Sequence, residues 1–234
     1  EIPLRLVGSE MCIRDSASGA HVVVEKPPAP SLDELDDMRA AADAAGRQLA
    51  VVFQQRTGTA AAHVRSLLQS GALGRPLVAV CQTLWFRDAD YFAVPWRGKW
   101  ATEGGGTTLG HGIHQIDLLA HLLGDWSSVQ GRLWRLDRET ETEDVSTATI
   151  VFDRGVVAQL ITSAVSPRET SSIRIDTQKA TITVDHVYGH GHENWRITAA
   201  PGFESEAEGW GFPDAEERSD HEPVSYTHLR AHET

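Results

Sequence analysis

Cysteine is nearly absent: the 234-residue chain holds two, Cys12 and Cys81. Cys12 falls in an opening segment unlike the rest, so one credible thiol remains and neither a disulfide nor a cysteine metal site can be built. A reducing cytoplasm is the expected setting. Basic charge is scarce too, with 21 Lys and Arg against 33 Asp and Glu and a net charge of -12. That balance excludes partners that demand a basic face, nucleic acid and anionic membrane alike. No run approaches the ~20 apolar residues of a membrane span, and no charged-then-apolar leader opens the chain. The acid excess is concentrated after Ser31, in 139–144 and in 204–220, and reads as solvated surface. Internal repeats and low-complexity tracts are missing as well.

The two ends read differently from the middle. Residues 1–16 and 223–234 resemble translated adapter or vector sequence, and the chain opens on Glu1 rather than Met. Both ends are expected to stand outside the fold. The remaining stretch of about 205 residues suffices for one large domain, or for a piece of one plus a second.

Periodicity divides that stretch. Val22 to Val24 is a continuous β-branched run, as in a strand buried on both faces. Pro27, Pro28 and Pro30 forbid an immediate helix, and Ser31 with Glu34 forms a capping box that starts one over 31–45, closed by Gly46. Residues 49–53 make a second apolar strand, so the order predicts a parallel crossover, the tail of a doubly wound sheet spanning 17–56. A helix carrying Val64, Leu67 and Leu68 follows, stopped near Gly71 and Gly74. A strand over 76–86, an aromatic loop and a helix over 109–122 come next. Five further strands are expected at 129–136, 145–152, 156–162, 172–175 and 180–184, with Asp153-Arg154-Gly155 as a hairpin turn. The prediction is an α/β remnant followed by an α+β domain over 57–200, an open, mainly antiparallel sheet with helices on one face. Residues 201–222 read as an acidic irregular segment.

Chemistry concentrates at two places. The first strand closes on Glu25-Lys26-Pro27, where open α/β sheets place ligands. Far downstream comes Gly104-Gly105-Gly106-Thr107-Thr108-Leu109-Gly110-His111-Gly112-Ile113-His114-Gln115-Ile116-Asp117. Oxidising a secondary alcohol sends a hydride to one acceptor and a proton to another. The site therefore needs a base near neutral pH and a cation to hold charge on oxygen. A histidine, with an ordinary pKa of ~6.5, suits the first task; Lys26 suits the second. Asp117 shares the helical face of His114 and either orients the imidazole or pins the helix. His111, His114 and Asp117 imitate a metal site, yet zinc wants further ligands, so no metal is expected. His186, His190 and His192 sit among glycines and read as a flexible loop rather than a ligand set. Trp96, Arg97, Lys99 and Trp100 either line a sugar pocket or form a packed loop, and Arg56 closes the last parallel strand, facing the cleft or not.

Taken in order, Glu25-Lys26-Pro27, the Ser31 helix, Gln54-Gln55-Arg56, Gly71-Ala72-Leu73-Gly74, the triple glycine at 104–106 and Gly112-x-His114-x-x-Asp117 resemble the glucose-fructose oxidoreductase, inositol dehydrogenase and MocA (Gfo/Idh/MocA) family. The resemblance covers about 19–184 and implies an NAD or NADP cofactor and sugar, sugar-acid or inositol-like substrates. It further implies a homo-oligomer built through the open sheet. By resemblance Lys26 touches cofactor and substrate hydroxyl, His114 accepts the proton with Asp117 beside it, and Glu25, Pro27, Gln55 and Arg56 join Lys26 at the cofactor. Trp96, Arg97, Trp100 and His111 fall to the substrate side, and the Lys26-Pro27 peptide is allowed to be cis. Two departures stand out. The family's glycine-rich phosphate loop would precede Gly19, where the adapter-like leader lies, and Gly110 stands where many members carry an aspartate. A non-catalytic binding module, or a relative of the NAD-dependent glycosidases, are the alternatives to a dehydrogenase.

Overall fold

A computed structural model of the chain describes residues 8–219. The adapter-like tail and the first part of the leader lie outside the described residues.

The chain starts with α1 (Gly8–Ala17), followed by β1 (Val22–Val24), α2 (Leu32–Ala44) and β2 (Leu49–Val51). β1 and β2 pair in parallel, Val23 against Ala50, as the crossover reading requires. Ser31 accepts a hydrogen bond from the Glu34 N–H at 3.2 Å and so starts α2. Glu34 does not reciprocate; its carboxylate accepts from the Ser9 hydroxyl at 2.6 Å. Gly46, at φ +62°, takes the left-handed turn that ends the helix. Residues 8–16, within the adapter-like leader, lie in α1. Helix formation puts Cys12 on the face that meets α2, where it is buried with Val22 and Met38. β2 is also shorter than expected, because Gln54–Arg56 turns into a single 3-10 turn instead of closing the strand.

α3 (Thr59–Ser70) then leads into β3 (Pro76–Phe86), the two short helices α4 (Ala89–Phe92) and α5 (Trp100–Glu103), one π-helical turn over Thr108–Gly112, and α6 (Ile113–Leu123). The remaining strands are β4 (Trp126–Trp134), β5 (Val145–Phe152), β6 (Val157–Ser163), β7 (Val165–Thr177), β8 (Ala180–Asp185) and β9 (Trp195–Ala199). They form one seven-stranded sheet in the order β4-β5-β6-β3-β7-β8-β9. Every pairing is antiparallel except β3 with β6. Gly155 completes the expected hairpin, its N–H bonding to the Phe152 carbonyl at 2.8 Å.

Strand alternation puts Ala79, Cys81, Ala158, Leu160, Ile173, Ile175, Ile182 and Val184 on one face, in register with one another. That face is covered by Ala60, Ala61, Val64 and Leu68 of α3 and by Leu118, Leu119 and Leu122 of α6. Each such buried aliphatic side chain contributes roughly 1.5–3 kcal/mol. The opposite face, with Val78 and Val157, stays open, and β4 is exposed along its length as the edge strand.

Two segments differ from the sequence expectation. β7 runs much longer than 172–175, because its polar first half pairs with the far end of β3 rather than ending at Pro167. β9 was not expected; Trp195 and Ile197 place their side chains against Val184 and Ile182 and extend the inner face by one strand.

Candidate active site

The cation comes from β1. Val24 brings the chain out of the parallel pair, Glu25 is exposed, and Lys26 follows with a cis peptide to Pro27. Lys26 is half-buried, and its Nζ donates to the Gly110 carbonyl at 3.2 Å. It forms no ion pair among the described residues. Burial pushes its pKa below the ordinary lysine range, opposed by nearby Glu25.

The histidines come from the π turn and the helix it opens. Glu143, buried ahead of β5, accepts from the Gly106 N–H at 2.9 Å and the Thr108 N–H at 3.0 Å, so its carboxylate caps this turn. Thr108 donates to Ser146 at 2.7 Å, which bonds Thr162 at 2.6 Å, tying the turn to β5 and β6. The glycines allow the close approach: a methyl group on Gly106 would collide with the Glu143 carbonyl oxygen. His111 then lies between Tyr91, whose hydroxyl is 3.2 Å from Nε2, and Trp85, whose ring centroid is 5.0 Å away. Burial first, then Arg87, Lys26 and Arg97, pull its pKa down to about 4, so the ring is neutral at physiological pH. His114 is 1% exposed; the Tyr188 hydroxyl lies 3.4 Å from its Nε2, and the two rings meet edge to face.

Tyr188 was missed by sequence reasoning. It sits past β8, in the histidine- and glycine-rich segment expected to form a loop, and links three groups: His114, Trp85 at a centroid distance of 5.7 Å, and Gln54 by a side-chain hydrogen bond. No periodic signal marks it. Beyond Tyr188 opens a cavity of about 700 Å³, bounded also by Trp85, Arg87 and Arg168.

The fold therefore gathers Lys26, His111 and His114 and separates the other candidates. Asp117 turns to Arg56, whose Nε donates to Oδ2 at 2.6 Å while Nη2 pairs with Oδ1. Of the two roles open to it, this pairing favours pinning the helix to the turn after β2. Burial raises the Asp117 pKa while Arg56 opposes the rise; the bidentate geometry leads us to assign the ionised form. Arg56 is committed to that pair. Gln55 is 0% exposed, and its carbonyl faces His190 Nε2 at 3.2 Å. His190 is likewise buried, accepting from the Trp195 indole N–H at 3.0 Å, so this part of the histidine-rich segment is packed rather than flexible. Among the described residues no group of three or more His, Cys, Asp or Glu side chains could hold a metal.

The aromatic loop divides. Arg97 stacks on Tyr91, its guanidinium 3.6 Å from the ring centroid, and so reaches the His111 side of the site. Trp96 lies 4.7 Å from the same guanidinium and is exposed. Trp100 is exposed too, its indole N–H held by the Glu141 carbonyl at 3.0 Å. Arg97 also borders a separate cavity of about 410 Å³ with Phe92, Pro95 and Thr140.

Known proteins resemble this chain in sequence and fold. Residues 61–183, more than half of the chain, match the model of the GFO/IDH/MocA C-terminal domain. The 1-carboxy-3-chloro-3,4-dihydroxycyclohexa-1,5-diene dehydrogenase of Comamonas testosteroni is 31% identical over 149 residues, 61% of this chain and 36% of that protein. The D-glucoside 3-dehydrogenase of Escherichia coli is 29% identical over 195 residues, 73% of this chain and 54% of that protein. The WlbA dehydrogenase of Bordetella pertussis, solved in complex with NADH and UDP-GlcNAcA, superposes with a TM-score of 0.75 at 27% identity, covering 90% of this chain and 62% of its own. The chain thus spans between about a third and two thirds of these relatives. With the family model matched over more than half of its length, the chain belongs to the Gfo/Idh/MocA family.

Proposed function

We propose that the full-length protein is an NAD(P)-dependent oxidoreductase that moves a hydride between nicotinamide and a secondary alcohol of a sugar, sugar acid or inositol-like polyol. One observation carries the reading. The Lys26 ammonium and the helix bearing His111 and His114, distant in sequence, meet at the carboxyl end of a parallel strand pair.

Lys26 also meets the test for a cofactor end group. It is a half-buried cation whose only hydrogen bond among the described residues goes to a backbone carbonyl, which leaves two N–H groups for a ligand. Glu25, Lys26 and Pro27 would hold the nicotinamide end. The bound cofactor supplies the hydride acceptor. The chain's own residues handle the proton: Lys26 stabilises charge on the substrate oxygen, and the hydroxyl proton passes to the Tyr188 oxygen as the Tyr188 proton passes to His114 Nε2. His111, neutral and wedged between Tyr91 and Trp85, shapes the substrate side. Names of relatives support this reading, since they are dehydrogenases and one was solved with NADH. Free thiols at Cys12 and Cys81 agree with a cytoplasmic setting, and no helix among the described residues is long and apolar enough to cross a membrane. The open sheet face and β4 suit a homo-oligomer.

The test is NADH formation by the full-length enzyme across a panel of sugars, sugar acids and inositols, with Lys26→Ala alongside. Turnover should fall by about two decades or more in the variant; turnover near normal would sink the reading. Gly110 favours one competitor, a binding module without catalysis, because it offers Lys26 only a backbone oxygen. Dinucleotide binding with no turnover of any substrate would select that competitor.

A further inference from the structure

The cavity beyond Tyr188 has two unlike walls. One is aromatic, with Trp85 and Tyr188 edge to face, and it leads to His114 through the Tyr188 hydroxyl. The other carries Arg87 and Arg168, with the acids Glu169 and Asp185 on the same lining. Arg87 is anchored. Its Nη1 donates to the Phe86 carbonyl at 2.7 Å and to Glu169 at 2.8 Å, and its guanidinium stacks 4.9 Å from the Trp85 centroid. Glu169 also accepts from the Phe86 N–H at 3.0 Å, and these bonds hold it ionised. The Nε and Nη2 groups of Arg87 make no hydrogen bond among the described residues. Arg168 forms no ion pair there either.

We propose that this cavity takes a substrate bearing one carboxylate, received by Arg168 and the free edge of Arg87. The substrate ring lies against Trp85 and Tyr188, and its carbinol is directed toward Lys26 and His114. The inference rests on the oxidoreductase reading and narrows its substrate to an acid. Guanidinium forks match the planar carboxylate with paired hydrogen bonds. Glu169 spends its charge orienting Arg87, so it does not compete for the ligand. Within the lining Arg87 and Arg168 balance Glu169 and Asp185, and Glu169 is already paired with Arg87. A carboxylate matches the guanidinium edges left over, whereas a phosphate dianion brings a second charge toward Asp185 and Glu169. His111, beside Trp85, has Arg87, Lys26 and Arg97 acting on it in one direction and only Glu169 in the other.

The experiment compares one ring in three charge states, D-glucose, D-glucuronate and D-glucose 6-phosphate, on the full-length enzyme. Calorimetric binding is measured in the presence of NADH, and NADH formation is followed separately with NAD+. Glucuronate is expected to bind about tenfold or more tighter than either other sugar, with the advantage shrinking as salt is raised. Arg168→Gln should bring the glucuronate-to-glucose ratio close to one, while Arg168→Lys keeps part of it. Equal or tighter binding of glucose, a preference for the phosphate, no binding of any of the three, or a ratio untouched by Arg168→Gln each overturns the carboxylate site. The two readings separate cleanly. Arg168-dependent glucuronate binding with no NADH from any sugar defeats the oxidoreductase reading alone, and equal NADH formation from glucose and glucuronate defeats the carboxylate site alone.

Discussion

Lys26 and His190 show how burial sets charge in this chain. Lys26 is half-buried with no ion pair among the described residues, and desolvation lowers its pKa against the opposing charge of Glu25. A charged lysine holding oxygen charge loses that role once deprotonated, so the pH–rate profile of the full-length enzyme should fall on its alkaline side below pH ~10.4, the ordinary lysine value. Lys26→Arg should move that limb upward. His190 is a structural counterpart. Because the Trp195 N–H donates to Nδ1, Nε2 carries the proton and donates to the Gln55 carbonyl. Burial, with Arg218 assisting, pulls its pKa down to about 4. The unfolded chain protonates this ring near pH ~6.5 and therefore binds more protons between the two values. Stability is then fully present above ~6.5 and drains as pH falls toward 4, at about 1.4 kcal/mol per pH unit. His111 and His121, whose pKa values burial likewise pulls to about 4, add their own shares to the slope that denaturant titrations from pH ~7.5 to ~4.5 measure. His190→Gln should reduce that slope by about 1.4 kcal/mol per pH unit and cost about 2 kcal/mol at the neutral end.

Between residue and molecule, the element that matters most is the turn before α6. Its start is held by Glu143 rather than by a local Ser, Thr or Asp cap, and the acid approaches closely because Gly106 has no side chain. Gly106→Ala should destabilise the protein by about 3 kcal/mol, since the obstacle is backbone that cannot move aside. Glu143→Gln keeps the shape and weakens the charge-assisted bonds, so a loss of about 1 kcal/mol is expected. Thermal unfolding of both variants measures this. The glycine run and its helix were legible in the sequence; the cap was not, because Glu143 lies far along the chain and its neighbours read as solvated acid. Arg56 and Asp117 follow the same pattern. Each stood out as a candidate, yet their pairing needed the helix and the turn after β2 to be side by side.

At the scale of the molecule, the described residues form two unequal cores. The seven-stranded sheet with α3 and α6 encloses the large cluster, while β1, β2, α1 and α2 share a small one around Cys12, Val22 and Met38. A two-stranded sheet such as β1-β2 is weak by itself. Hydrogen exchange should therefore protect β3, β6 and β7 amides far longer than those of β1 and β2, with opening free energies differing by about 2 kcal/mol or more. Uniform protection across both units would contradict this. The strand alternation that built the larger core could be read in advance because apolar residues recur at period two. β9 could not, since its inward residues become recognisable only when Val184 and Ile182 lie beside them.

The sequence by itself determined the order of the main elements and the parallel pair ahead of a mainly antiparallel sheet. Local periodicity, proline and glycine punctuation and ordered motifs carry that information along the chain. Only the tertiary structure decided which candidates meet. It joined Asp117 to Arg56, buried Gln55 under His190, brought Tyr188 to His114, and opened a cavity edged by Arg87 and Arg168. Those outcomes depend on distances between elements far apart in the chain, and side-chain chemistry alone does not encode such distances until the core has closed.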